Sequence, residues 1–182
     1  MQSETAIAPD LSAPIDLDPI PSHLSKEEVA DLAEELAGIL DFAPGDDLEP
    51  IVQWLGGTIH EVDDIAFSSG VNGTIEVNGY QDFTINVPKN TYDARQRFTI
   101  AHEIGHYVLH APLKDGHRLV ARRYDSGRTE WEANWFASSF LMPTKTFTER
   151  FQLNKGDLVA TANQFKVSLE AATYRAKNLN LL

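Results

Sequence analysis

The sequence predicts an α+β fold, mostly helical, with a small antiparallel sheet of about three strands and a C-terminal helical pair. Three observations carry this expectation. Apolar residues recur at helical spacing over 29–40, and a helical composition returns over 130–141. Between these stretches, from Thr58 to Val87, the apolar period falls to two and turn residues intervene. Near the end, 158–165 and 169–179 form two helical runs joined around Lys166-Val167-Ser168.

Taken in order, residues 1–24 place four prolines among Asp, Ser and isolated aliphatics and read as a disordered acidic leader. Ser25-Lys26-Glu27-Glu28 fits a capping box, and Val29, Leu32, Ala33, Leu36, Ile39 and Leu40 follow on one helical face. Phe42-Ala43-Pro44-Gly45 breaks that helix, and Asp46 or Asp47 starts a second short one, so that 25–57 forms an N-terminal helical unit. The core is expected over 58–153. It begins with short strands at 58–62, 65–67, 74–77 and 83–87, separated by Gly70-Val71-Asn72-Gly73 and Asn78-Gly79. Pro88 ends the sheet, and Thr91 or Asp93 caps the next helix. After His110, Pro112 and Gly116 interrupt a polar, basic loop. The helix over 130–141 is stopped by Pro143, and 154–182 forms a helix-turn-helix-like subdomain packed on the core.

Composition narrows the chemistry. The 182 residues include no cysteine, which excludes disulfides and thiolate metal sites. No run of about 18 apolar residues suggests a membrane span, and the N-terminus lacks a secretory pattern, so a soluble cytoplasmic protein is expected. The net charge of −12 arises in residues 1–50, which hold thirteen of the 27 acidic side chains and only Lys26 among the 15 basic ones. Such a front segment argues against a nucleic-acid-binding arm and suits either a basic partner or a solubilising role.

The residues that carry chemistry lie in His102-Glu103-Ile104-Gly105-His106. Residues four apart on a helix share a face, so His102 and His106 can present two imidazoles to one metal ion. Glu103 can then reach a water bound to it as general base, the H-E-x-x-H arrangement of zinc metalloproteases. A third ligand must be His, Asp or Glu from another element. The extended pattern with a glycine at 109 and a histidine at 112 is absent, since Leu109 and Pro112 stand there. Glu130 is the preferred candidate because Asn134, one turn later, can accept a hydrogen bond from a ligand histidine. Glu132 is the rival; it lies about 200° round the helix and is otherwise a first-turn carboxylate or a capping partner of Thr129. Gly105, which costs about 1 kcal/mol against alanine in a helix, suggests a close helix crossing. His110 falls one turn beyond His106, too far for the same ion. His117 or Tyr124 can donate to a developing oxyanion, although packing or surface roles are favoured for all three. His23 and His60 have no evident partners.

Together, 97–106 (Arg-Phe-Thr-Ile-Ala-His-Glu-Ile-Gly-His), 130–143 (Glu-Trp-Glu-Ala-Asn-Trp-Phe-Ala-Ser-Ser-Phe-Leu-Met-Pro) and Phe165-Lys166-Val167-Ser168 resemble the ImmA/IrrE family of metallo-endopeptidases. The resemblance implies a zincin-like core holding one Zn2+, with another divalent ion such as Mn2+ as an alternative. It carries His102, His106 and Glu130 over as metal ligands and Glu103 as the base. It also implies a protein substrate, a helix-turn-helix repressor of a mobile element or stress response. Two other readings stand beside it. One is a regulatory partner that binds a repressor or toxin without cutting it. The other is a DNA-binding regulator using the last two helices, disfavoured because 157–182 offers only Lys166, Arg175 and Lys177 against Asp157 and Glu170.

Overall fold

A computed structural model describes residues 15–63, 73–89, 93–111, 117–122 and 127–182. The elements in chain order are β1 (Ile15–Leu17), α1 (Lys26–Ile39), α2 (Glu49–Trp54), β2 (Gly57–Val62), β3 (Thr74–Gly79), β4 (Asp82–Pro88), α3 (Asp93–His110), β5 (His117–Arg122), α4 (Arg128–Leu141), α5 (Thr144–Leu153), α6 (Leu158–Phe165) and α7 (Leu169–Asn178). The expected α+β class is the one observed. The strand expected at 65–67, the cap at Thr91, the loop residues Pro112 and Gly116, and Tyr124 lie outside the described residues.

Alternation builds the sheet. Ile75, Val77, Phe83, Ile85 and Val87 are buried, while the intervening Thr74, Glu76, Thr84 and Asn86 are less so, which gives one face to the helices. β3 and β4 form an antiparallel hairpin with Ile75 opposite Ile85 and Gly79 opposite Asp82. The turn is therefore at Tyr80-Gln81, and Asn78-Gly79, expected as the turn, belongs to β3. Gln81 takes the left-handed conformation (φ 57°) and donates its N–H to the Tyr107 hydroxyl at 3.0 Å, which fastens the hairpin tip to α3.

The sheet is larger than the three antiparallel strands expected. Its order is β1-β5-β3-β4-β2, with β2 parallel to β4 and β1 parallel to β5. β5 lies in the stretch expected to be a polar, basic loop, and β1 lies in the leader expected to be disordered. Neither three residues of β1 nor the basic-flanked His-Arg-Leu-Val-Ala-Arg of β5 contains enough alternation to announce a strand. Each is extended because a neighbouring edge accepts its backbone hydrogen bonds.

The capping box at the start of α1 is present. Ser25 Oγ accepts the Glu28 N–H at 3.2 Å, and Glu28 Oε2 accepts the Ser25 N–H at 2.7 Å. α1 buries Val29, Ala33 and Ala37 against α4. α5 is an additional helix, placed by Phe147 and Phe151 one turn apart, with Phe147 also 5.3 Å from the Phe165 ring of α6. Arg175 of α7, 5% exposed, donates to Met142 O, Ser139 Oγ, Glu34 Oε1 and Thr144 Oγ1 at 2.9–3.1 Å. This one guanidinium joins α7 to the end of α4 and to α1. It also satisfies a carboxylate of the acidic front segment.

Candidate metal centre

α3 carries the centre and α4 completes it. Packed between the sheet and α4, α3 leaves His102 0%, Glu103 1%, His106 1% and His110 5% exposed. Gly105 sits where the two helices cross: a Cβ there would lie 3.2 Å from Ala133 Cα and from Phe136 Cβ and Cδ1. A larger residue would hold α4 away, so the glycine inferred from sequence to mark a close crossing does so.

At this separation the side chains converge. His106 Nε2 lies 3.1 Å from His102 Nε2 and 3.0 Å from Glu130 Oε1, and His102 Nε2 lies 3.3 Å from Glu130 Oε2. Ligand atoms 2.0–2.1 Å from a tetrahedral zinc ion stand about 3.3 Å from one another. His102 Nδ1 faces Asn134 Oδ1 at 3.0 Å, the partner anticipated for it. An amide oxygen only accepts, so His102 carries its proton on Nδ1 and turns the Nε2 lone pair inward. Lone pairs and a carboxylate aimed at one point repel unless a cation lies among them, and the N and O donor set suits zinc. His102, His106 and Glu130 therefore fit a metal ion, with one ligand atom from each within 4.8 Å of the others.

Burial opposes ionisation of Glu130, but where no cation lies among the three groups a proton taken up at a histidine Nε2 donates to the carboxylate and holds it well below its usual range. Glu103 points toward the sheet. A Cβ on Gly73 would come within 3.1 Å of Glu103 Oε1 and 2.3 Å of Thr99 Cγ2, so this glycine keeps space open beside the carboxylate.

Glu132 does not face this cluster. Its side chain is fully buried on the other side of α4, where it accepts from Arg128 Nε at 2.7 Å, from Ser22 N and Oγ at 2.8 Å each, and meets His110 Nε2 at 3.0 Å. It is not a cap: the N-cap of α4 is Gly127, without a side-chain hydrogen bond. His110 Nδ1 in turn lies 3.0 Å from His106 Nδ1. The spacings 106/110 and 128/132 are both four, a signal for two of these contacts. Nothing in the sequence marks Ser22. His117 falls in β5, opposite Ile15, and His23 and His60 are exposed.

Beside Asn134 and Thr99 opens a cleft of about 750 Å3 between α3, α4 and α7, whose walls include Phe98, Trp131, Trp135 and Tyr174.

Two inward histidines on one helix, a carboxylate from the next helix and Glu103 beside them match the arrangement of a metallohydrolase type of centre. Residues 76–177 match the family model described as the IrrE N-terminal-like domain, a peptidase family, and the chain belongs to that family. Among curated proteins none matches. Of solved structures, a Mycobacterium tuberculosis transcriptional regulator is similar, with a TM-score of 0.58 at 16% identity over 83% of this chain and 46% of that one. The likeness is one of fold, and the chain spans less than half of that regulator. Family membership supports a metallopeptidase-like role, and no helix among the described residues is long and apolar enough to cross a membrane.

Proposed function

We propose that this chain is a zinc-dependent endopeptidase of the cytoplasm that cuts a protein substrate, a helix-turn-helix transcriptional repressor. The observation that carries this reading is an intact Glu103 next to the converging His102, His106 and Glu130. A protein that only bound its partner would need no base at that position. Bound by those three residues, zinc would supply a water of pKa near 7 and polarise the scissile carbonyl.

Glu103 takes the proton from the attacking water and returns it to the leaving amine, so the carboxylate ends as it began. Asn134 keeps the His102 ring oriented throughout. Among the described residues, β1 covers only His117–Leu119 on the outer side of β5, leaving 120–122 without a strand neighbour on that side. An extended substrate adding there would be held by backbone hydrogen bonds. The aromatic cleft would take an apolar side chain from one flank of the scissile bond. The DNA-binding alternative loses support, because Arg175 is spent on internal contacts and leaves Lys166 and Lys177 as the exposed cations of 157–182.

The test is co-expression with a helix-turn-helix repressor encoded beside the gene, with fragments identified by mass. Wild type is expected to yield two fragments and Glu103→Gln none, while both bind zinc alike. Cutting by the Gln variant, or regulation of the repressor that is indifferent to this substitution, would refute the proposal.

A further inference from the structure

We infer that His110 and Glu132 are positioning residues for the metal centre: with Ser22 and Arg128 they form a directed hydrogen-bond chain that sets which nitrogen of His106 carries its proton. The inference rests on the metal-centre reading above.

The direction follows from the outer end inward. A carboxylate only accepts, and Glu132 is surrounded by donors: Arg128 Nε on Oε1, and Ser22 N and Oγ on Oε2. His110 Nε2, 3.0 Å from Oε2, must therefore carry a hydrogen. His110 is 5% exposed, and its Nδ1 lies 3.0 Å from His106 Nδ1, a pair in which only one nitrogen can carry a hydrogen. With the His106 Nε2 lone pair turned to the ligand cluster, the His110 ring proton is the one on Nε2. That proton being on Nε2, the Nδ1 is a lone pair and accepts from His106 Nδ1 at 3.0 Å. His106 then has its proton on Nδ1 and its Nε2 lone pair aimed at His102 and Glu130, as a ligand requires.

The contrast with His102 explains why the chain is long. Asn134 Oδ1 is an unambiguous acceptor, so one residue suffices there. A histidine can donate or accept through Nδ1. His110 directs His106 only if something else directs His110, and Glu132 does so. Glu132 is held in turn by Ser22 and by Arg128, which also donates to Leu24 O and stacks over Trp135 at 5.0 Å. The N-terminal segment, which precedes the residues matched by the family model, thus closes the outer end of the chain.

Two measurements on the full chain test this without reference to peptide cleavage. In zinc-free protein labelled with 15N-histidine, ring NMR is expected to show His106 protonated on Nδ1 and His110 on Nε2. The opposite pattern in wild type overturns the inference and requires no variant to fold. Zinc affinity, measured by chelator competition, is expected to fall about 10–100-fold in His110→Phe, the usual effect of losing an outer partner of a ligand. His110→Asn places an amide oxygen where Nδ1 was, as Asn134 does for His102, and is expected to stay within about threefold of wild type. Glu132→Gln should weaken zinc binding in the wild-type background and have no effect on it in the His110→Asn background. Equal losses in both backgrounds, or wild-type affinity in His110→Phe, would reduce Glu132 to an anchor for the N-terminal segment and refute the chain. Failure of cleavage with these results intact would count against the proposed substrate reaction alone.

Discussion

Replacing Gly105 with alanine adds one methyl group at the crossing of α3 and α4, where two effects oppose each other. Helix propensity favours alanine by about 1 kcal/mol. Against this, the new carbon would sit 3.2 Å from three atoms of Ala133 and Phe136, whereas carbon contacts are most favourable at about 3.5–4.0 Å. Neither neighbour has room to yield: Ala133 is contacted through its backbone, and Phe136 is fully buried and stacked on Phe140. Overpacking of this kind costs about 1–3 kcal/mol, so a net loss of about 1 kcal/mol is expected. The helices would separate by a few tenths of an ångström. Glu130 lies one turn before Ala133 and would move with it, while metal sites hold their ligand distances to about 0.2 Å. A tenfold loss of zinc affinity, about 1.4 kcal/mol, is expected in addition. Urea denaturation of the zinc-free protein measures the first quantity and chelator competition the second. A Gly105→Ala protein more stable by about 1 kcal/mol, with unchanged zinc affinity, would show that the crossing imposes no limit.

Two further outcomes concern stability. Arg175→Met removes four donors from a buried site and leaves Glu34 and the Met142 carbonyl without this partner. A loss of about 3 kcal/mol in urea is expected, and a loss under 1 would mean that α7 is held by its apolar face alone. The second outcome is acid sensitivity in the zinc-free protein. Burial works against the Glu132 charge, but hydrogen bonds from Arg128, His110 and Ser22 overcome it and hold the pKa at about 2, below the ordinary 4.5. A depressed carboxyl stabilises the fold above its unfolded pKa, and that stability is lost as pH falls from 4.5 through 2. The stability gap between wild type and Glu132→Gln should therefore narrow over that window by on the order of 3 kcal/mol. A gap independent of pH would place the charge elsewhere.

Much of the centre is legible because helical contacts are local. His102 and His106, Glu130 and Asn134, and Ser25 and Glu28 each lie within one turn, so their spacing already states which side chains share a face. Gly105 is legible for a related reason, since an unfavourable residue inside a helix needs a compensating neighbour. Strand partners are not local. β3 and β4 show their alternation and β1 and β5 do not, and the parallel pairing of β2 with β4 is written in neither strand.

Glu132 marks the boundary most clearly. In the sequence it is an acidic residue in the first turns of a helix, set apart from Glu130 two places earlier only because no polar residue like Asn134 follows it one turn on. Sequence alone pointed to His102, His106 and Glu103, to Glu130 before Glu132, and to the helices that carry them, because those follow from a 3.6-residue repeat and the chemistry of the side chains. The choice between Glu130, which meets the histidine cluster, and Glu132, buried behind it, is made by tertiary contacts. That choice depends on Ser22, 110 residues away from Glu132 in the chain, and on the angle at which α4 crosses Gly105. No local periodicity encodes a contact between segments that meet only after the chain has folded.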